Sequence, residues 1–161
     1  MGKNGGRTME PEVQNYITML DDLRNRFKEA VQDMTADQLN WAPPAKDVNS
    51  PYILAYHIAG SEAMWIHQIV GQRDVSRDRD AEFQATGDCP AALNERLDSI
   101  AATSREILDG LTLADLGQSR TQPVRRGGDQ APVRWCIAHL IEHYAEHLGH
   151  LDLTKQLYEG R

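Results

Sequence analysis

The sequence predicts an all-α fold, a four-helix bundle with a metal site between its second and fourth helices. Four long segments repeat apolar residues every three or four positions, which is the period of a helix that buries one face. No segment shows the strict alternation of apolar and polar residues that indicates a half-buried strand. Two longer polar stretches connect the segments, as loops connect the helices of a bundle.

The first helix is predicted from about Glu10 to Met34, since Pro11 suits a first helical turn. Residues 35–38 read Thr-Ala-Asp-Gln, which is the pattern of a capping box that opens a short turn. Pro43 then prevents the helix from continuing. The sequence therefore places a turn and an irregular segment between the first two long helices.

The second helix is predicted from the N-cap Ser50 and Pro51 to about Val70. His57 lies one turn inside it, and apolar residues flank it on the same face. The stretch 72–87 is charged and has no apolar period, so we expect a surface loop there.

The third and fourth helices complete the predicted bundle. The third follows the cap Asp88 and ends near Gly110. Residues 118–131 are predicted to form a polar loop. The fourth helix opens with Pro132 and extends to about Glu159.

Composition limits the classes of partner. The chain of 161 residues has a net charge of −7 with scattered Lys and Arg, which argues against nucleic acid or an anionic membrane surface. Its apolar runs are too short for a transmembrane helix. The two cysteines are too few for a disulfide framework, which favours the reducing cytoplasm. We expect one domain over residues 9–161, preceded by a disordered tail at residues 1–8.

The fourth helix carries four of the six histidines. On a helical wheel His139, His143, His147 and His150 span only about 80°, so they form one stripe beside the apolar face. Partners four residues apart lie about 6 Å apart along the axis and can share an ion, as can the pair His147 and His150. His139 and His147 are about 12 Å apart along the axis, which is too far. The stripe therefore predicts that two histidines of this helix bind a metal.

A third ligand must come from another helix, and His57 is the best candidate because of its apolar surroundings. His67 lies ten positions later and is rotated by roughly 80°, so we expect it at the surface. Three histidines leave coordination positions open for water or substrate, as in catalytic metal sites, whereas structural zinc sites have four ligands and usually use cysteine.

Two other interpretations of the stripe remain open. A solvated or hydrogen-bonded histidine face, for example at a subunit interface, needs no metal. His139 to His143 also spell the H-x-x-E-H motif of inverted zinc proteases, with Glu142 as the general base. Short motif matches without their structural context are mostly false positives.

Residues near the stripe have both functional and ordinary interpretations. Cys136 could be a fourth ligand, but we expect a small buried hydrophobe. Glu142 and Glu146 could hydrogen-bond ligand imidazoles, although solvation on an exposed face is slightly favoured. Three arginines could hold an anionic substrate, although charged loop residues are mostly solvated: Arg125, Arg126 and Arg134.

Several segments together resemble the DinB-like (YfiT-like) family of metalloenzymes: residues 39–43 (Leu-Asn-Trp-Ala-Pro), 49–51, 57–62 and 139–153. The resemblance covers most of the chain in element order and is most specific at His57, His143 and His147. It implies a four-helix bundle, frequently dimeric, in which these three histidines bind a divalent metal, often zinc or nickel. His139 and His150 recur in the resemblance as flanking residues.

The resemblance also implies a range of activities. Some members are thiol-dependent transferases or isomerases that use a low-molecular-weight thiol, mycothiol or bacillithiol. We therefore expect a cytoplasmic, homodimeric, metal-dependent enzyme of the transferase, isomerase or hydrolase type that acts on a small-molecule substrate. The alternatives are a non-catalytic metal- or small-molecule-binding bundle with a stress or regulatory role, and a purely structural dimerisation bundle.

Overall fold

The computed structural model describes residues 8–122 and 130–161. Seven α-helices lie in these ranges: α1 (Pro11–Val31), α2 (Ala36–Asn40), α3 (Pro51–Glu62), α4 (Arg79–Glu82), α5 (Ala91–Asp109), α6 (Leu113–Leu116) and α7 (Val133–Glu159). None of them is long and apolar enough to cross a membrane. Nearly all of the predicted tail, and the arginines Arg125 and Arg126, lie outside the described residues.

Four long helices form the bundle, and the predicted all-α fold is confirmed. α7 is central, since it packs against both α1 and α3. Phe27 of α1 meets Tyr144 of α7 edge to face, with ring centroids 5.7 Å apart, and both side chains are fully buried. Such aromatic contacts add to the stabilisation from burial, which is roughly 1.5–3 kcal/mol for each large apolar side chain.

A buried polar network crosses this core. Arg24 donates from Nε and Nη2 to the two carboxylate oxygens of Glu62, at 3.0 and 2.9 Å. The Tyr144 hydroxyl donates to Glu62 Oε2 at 2.7 Å. Because a buried charge is costly unless it is paired and hydrogen-bonded, these three contacts favour one relative rotation of α1, α3 and α7.

The predicted helix starts at Thr35 and Ser50 are observed. Thr35 forms a capping box with Gln38, which opens α2. The backbone N–H of Ile53 donates to Ser50 Oγ at 3.3 Å, which caps α3 as predicted. The caps fix the start of the helix that carries His57.

The prediction of a surface position for His67 is wrong. α3 continues without a break as a π-helical segment, Ala63–Val70, in which the N–H of Gly71 donates to the carbonyl of Ile66. The wider turn changes the direction in which residues after α3 face. His67 is consequently buried against α5, with Nε2 3.1 Å from Ser104 Oγ and 3.2 Å from the carbonyl oxygen of Ile100.

The stretch 72–87 is not only a surface loop. It contains α4, which the Asp78 side chain caps by accepting from the N–H of Ala81. Four residues are too few to show a helical period, and Glu82 is buried because charged partners accompany it. A second correction concerns strands: β1 (Ser119–Thr121) and β2 (Gln130–Pro132) pair antiparallel. Three residues a strand are too few to reveal alternation.

Candidate metal centre

Three imidazoles meet between α3 and α7. Each of His57, His143 and His147 offers one ring nitrogen, and these nitrogens all lie within 4.8 Å of one another. The ring centroids of His143 and His147 are 4.4 Å apart, because residues four apart on a helix share a face. His57 approaches both rings almost perpendicularly, at centroid distances of 5.4 and 5.2 Å. The cluster predicted from the sequence is therefore assembled within a single chain.

Glu82 orients His57. Its Oε2 lies 2.9 Å from His57 Nδ1, and because a carboxylate only accepts, Nδ1 carries the proton. Arg77 donates to both oxygens of Glu82, from Nε and Nη2, each at 2.7 Å. Burial raises the pKa of Glu82, but the hydrogen bonds from Arg77 and His57 outweigh it and leave that pKa below its usual value. Glu82 is thus held as a carboxylate, and the lone pair of His57 stays on Nε2.

The close approach of Glu82 to α3 requires a glycine. Gly60 lies one turn after His57, and a Cβ atom there would fall on the Glu82 carboxylate. The same Cβ would lie 3.3 Å from Arg77 Nε. Any larger residue at position 60 would therefore displace the group that orients His57.

The two cluster histidines of α7, His143 and His147, differ in their hydrogen bonding. The Ser61 hydroxyl oxygen lies 3.0 Å from His143 Nδ1, and if it accepts that proton, Nε2 keeps its lone pair. Both ring nitrogens of His147 are buried, and neither has a hydrogen-bond partner among the described residues. A buried unsatisfied polar atom is costly, so His147 has ring nitrogens to offer to a ligand.

Both histidines are held neutral. Burial is the main cause that lowers the pKa of His143 to about 3, and repulsion from His147 and His57 adds to it. Burial, followed by repulsion from His57, lowers the pKa of His147 to about 4. Only the neutral imidazole has a free lone pair, so at neutral pH these rings are in the form that can bind a metal.

A sequence model of the mycothiol-S-transferase family matches residues 16–160, which include all three histidines. The chain belongs to this family. The matched residues run from within α1 to the end of α7, so the family relationship extends over the whole bundle.

Individual proteins and solved structures are also similar to this mycothiol-S-transferase family member. The chain is 25% identical over 157 residues to YkkA, an uncharacterized protein of Bacillus subtilis (strain 168), across 92% of this chain and 89% of YkkA. A protein from Enterococcus faecalis shares the fold with a TM-score of 0.75 at 18% identity, covering 96% of this chain and 100% of that one. The DinB-like protein YjoA from Bacillus subtilis aligns with a TM-score of 0.66 at 19% identity, over 90% and 92% of the two chains. The resemblance to DinB-like proteins is confirmed.

A cavity of about 300 Å³ lies over the cluster and is lined by all three of its histidines. His139 forms part of the wall but lies outside the cluster of converging nitrogens. Its ring stacks on Trp135, with centroids 5.0 Å apart and an interplanar angle of 8°, and its Nδ1 lies 3.3 Å from Glu142. His150 is exposed, at 5.7 Å from the His147 ring.

The other residues that the sequence offered for the site lie in environments that need no metal or substrate to explain them. Cys136 is completely buried, as expected, and burial raises the pKa of its thiol. The side chain of Glu142 is exposed, although it lines the cavity with Glu146. Arg134 pairs with Glu12 at 3.1 Å, on the surface between α7 and α1.

Sequence reasoning missed the residues that hold the ligands in place. Arg77 and Glu82 belong to a charged stretch without a period, where no local signal separates a buried acid from a solvated one. Ser61 follows His57 by four residues and therefore shares its face, which was a signal for a polar group near the cluster.

Proposed function

We propose that this protein is a metal-dependent thiol S-transferase that binds one divalent ion, zinc or nickel, through His57, His143 and His147. The observation that carries the proposal is the convergence of three ring nitrogens within 4.8 Å beneath a cavity. The family model adds the reaction class, the transfer of a low-molecular-weight thiol such as mycothiol.

The donor set fits such an ion. Three imidazole ligands suit zinc or nickel and leave coordination positions free. The carboxylate of Glu82 behind His57 is the usual partner of a metal-bound histidine, since it fixes the tautomer and the ring orientation. The unsatisfied nitrogens of His147 are explained if one of them binds metal. A closed structural site would offer a fourth side chain, and no such residue joins the cluster in the described ranges.

The chain supplies the remaining requirements of the reaction. When bound, the ion supplies Lewis acidity, which favours loss of a thiol proton near neutral pH. His139 lines the same cavity, and its bond to Glu142 leaves Nε2 free to accept that proton. The thiol sulfur then attacks an electrophilic carbon of the acceptor, the carbon–sulfur bond forms, and the leaving group departs with its electron pair. Trp65 shields one side of the cavity and limits the access of water.

The test combines metal content with turnover. Protein purified without an affinity tag or chelator is expected to contain about one zinc or nickel ion per chain by elemental analysis. It should conjugate mycothiol to 1-chloro-2,4-dinitrobenzene with release of chloride, and lose this activity when the ion is removed. The variants His57→Ala, His143→Ala and His147→Ala should lack both metal and activity.

The control variant His150→Ala should retain both, because His150 is exposed and outside the cluster. Undiminished metal in His57→Ala, or full activity of metal-free protein, would refute the proposal.

A further inference from the structure

A second cavity lies beside the one over the histidines. It has a volume of about 880 Å³, and it shares Met64, Arg77 and Arg79 with the histidine cavity. Its other described lining residues belong to the π-helical segment, to residues 72–75 that follow this segment, and to residues 120–122 at the end of β1. The shared side chains place the second cavity immediately next to the histidine cavity.

The second cavity, called here the arginine groove, is positively charged. Four arginines line it, Arg73, Arg77, Arg79 and Arg120, against a single carboxylate, Asp74, among its described lining residues. The chain as a whole has a net charge of −7, so this concentration of guanidinium groups contrasts with the rest of the surface. A cleft lined by one sign of charge concentrates ligands of the opposite sign.

Arg120 provides the second observation. Its Nε is buried and has no hydrogen-bond partner among the described residues. In the described part of the chain, its terminal nitrogens donate only to neutral oxygens, those of the Gln118 side chain and the Ser119 carbonyl, at 3.1 to 3.2 Å. A half-buried guanidinium that has no carboxylate partner among the described residues is available to an anion that enters the groove.

Arg73 and Arg77 are partly balanced from outside the groove. Arg73 pairs with Glu106 at 2.9 Å, but both side chains are exposed and solvent screens the pair. Arg77 is bound to Glu82, which orients His57. Arg120 therefore has no carboxylate contact among the described residues, and the charge of Arg73 is only weakly balanced.

We propose that the arginine groove binds the carboxylate groups of a small molecule that reacts at the histidine cluster. This inference rests on the proposed function, because it takes the histidine cavity as the place of reaction. Guanidinium groups bind carboxylates through two parallel hydrogen bonds. The carboxylates belong either to the thiol or to the acceptor that it attacks.

The test uses two matched peptide pairs. N-acetyl-Cys-Gly-Glu has two carboxylates, and its counterpart with Gln amide at the end has none. A second pair replaces Cys by Ser. Binding of the thiol peptides to cobalt-loaded protein is measured by sulfur-to-cobalt charge-transfer absorption, and binding of the serine peptides to metal-free protein by calorimetry. We expect the charged member of a pair to bind about tenfold more tightly, a preference that weakens as salt is added.

Single-residue variants test whether the preference for the charged peptides depends on the arginines of the groove. Arg120→Gln and Arg73→Gln should each reduce the preference for charge by roughly three- to tenfold. Arg26→Gln should not, because Arg26 is an exposed residue of α1 that does not line the groove. A preference shown by the thiol pair assigns the carboxylates to the thiol. If only the serine pair shows a preference for its charged member, and if that preference persists on cobalt-loaded protein to which 2-mercaptoethanol is bound, the carboxylates are assigned to the acceptor.

The outcomes separate this inference from the proposed function. If neither pair shows a preference, or if both groove variants keep the full preference, the arginine groove does not bind carboxylates. In that case a charge-transfer band with either thiol peptide still supports the thiol chemistry. If no thiol gives a band while the serine peptides keep their Arg120-dependent preference, the groove stands and the thiol function fails.

Discussion

The Nδ1 atom of His57 lies 2.9 Å from Oε2 of Glu82, and both side chains are buried. The contact links a proposed metal ligand on α3 to an acid that lies beyond the end of the same long helix. It fixes the tautomer of His57 and points its other nitrogen toward α7.

Replacing Glu82 by Gln should weaken metal binding by about 10- to 100-fold. The amide keeps the size of the side chain, but it no longer balances Arg77 or enforces the Nδ1–H tautomer of His57. Competition with a chromophoric chelator measures the dissociation constant. Glu95→Gln, at an exposed position of α5, is the control and should leave the constant unchanged. Equal constants for both variants would contradict the role given to Glu82.

Gly60→Ala should also weaken metal binding, because a Cβ at this position takes the space of the Glu82 carboxylate. Gly149→Ala is a matched control on α7, where nothing lies within 4 Å of the added methyl group. There the substitution should stabilise the protein by roughly 0.5–1 kcal/mol, since alanine favours helix. Thermal unfolding and chelator competition on both variants test the pair. Unchanged metal affinity in Gly60→Ala would show that Glu82 can move without consequence.

Metal-free protein should lose stability as the pH falls below about 6.5, the value at which histidine titrates in an unfolded chain. Burial, together with the neighbouring imidazoles, lowers the pKa of His143 to about 3 and that of His147 to about 4. Between these values and pH ~6.5 the unfolded chain binds more protons than the folded one. The free energy of unfolding therefore decreases on acidification, by up to about 1.4 kcal/mol per pH unit for each histidine.

Urea unfolding in the presence of a chelator, at several pH values from 7.5 down to 5, measures this slope. The double variant His143→Asn with His147→Asn should show a flatter dependence over the same interval. His150→Asn should keep the original slope, because His150 is exposed. A double variant with the slope of the unmodified protein would assign the pH dependence to other groups.

Removing one member of the buried pair between α1 and α3 should be strongly destabilising. Arg24→Met leaves the Glu62 carboxylate buried, with the Tyr144 hydroxyl as its one remaining hydrogen-bond partner among the described residues, which should cost about 3–5 kcal/mol. Tyr144→Phe removes one hydrogen bond and should cost less, about 1–3 kcal/mol. Arg26→Met on the same helix breaks only an exposed pair with Asp22 and should cost under about 1 kcal/mol. Chemical denaturation of the three variants gives the order, and equal costs at positions 24 and 26 would contradict it.

We predict a homodimer that has a complete histidine cluster in each protomer. On α7 the apolar side chains of Trp135, Leu153 and Leu157 are exposed. Association with a second copy across a two-fold axis is the commonest way to bury such an apolar face. Sedimentation velocity should give twice the chain mass of 18.1 kDa. Leu153→Glu should shift the protein toward monomer, whereas Met19→Glu, an equally exposed apolar site on α1, should not. Recovery of metal on mixing His57→Ala with His147→Ala protein would show that the site spans two subunits.

Local patterns in the sequence predict much of the helical bundle. The apolar period, Thr35 and Ser50 as caps, and the i,i+4 spacing of His143 and His147 are properties of single helices, which short-range geometry determines. The histidine stripe therefore predicted that two residues of this one helix are ligands, and the resemblance to DinB-like proteins identified them as His143 and His147. His57 could be predicted too, because apolar neighbours on its own helix face placed it toward the core.

Only the tertiary structure determined what lies behind and beside that cluster. Glu82 is buried because the partly buried Arg77 neutralises it across a turn of chain, and a charged stretch does not show whether such a partner exists. The π-helical turn that directs His67 against Ser104, rather than to solvent, depends on packing with α5. The sequence by itself determined which residue types could bind a metal, since helical spacing is local. The fold decided which nitrogens meet and which charges surround them, since those depend on contacts between residues far apart in the chain.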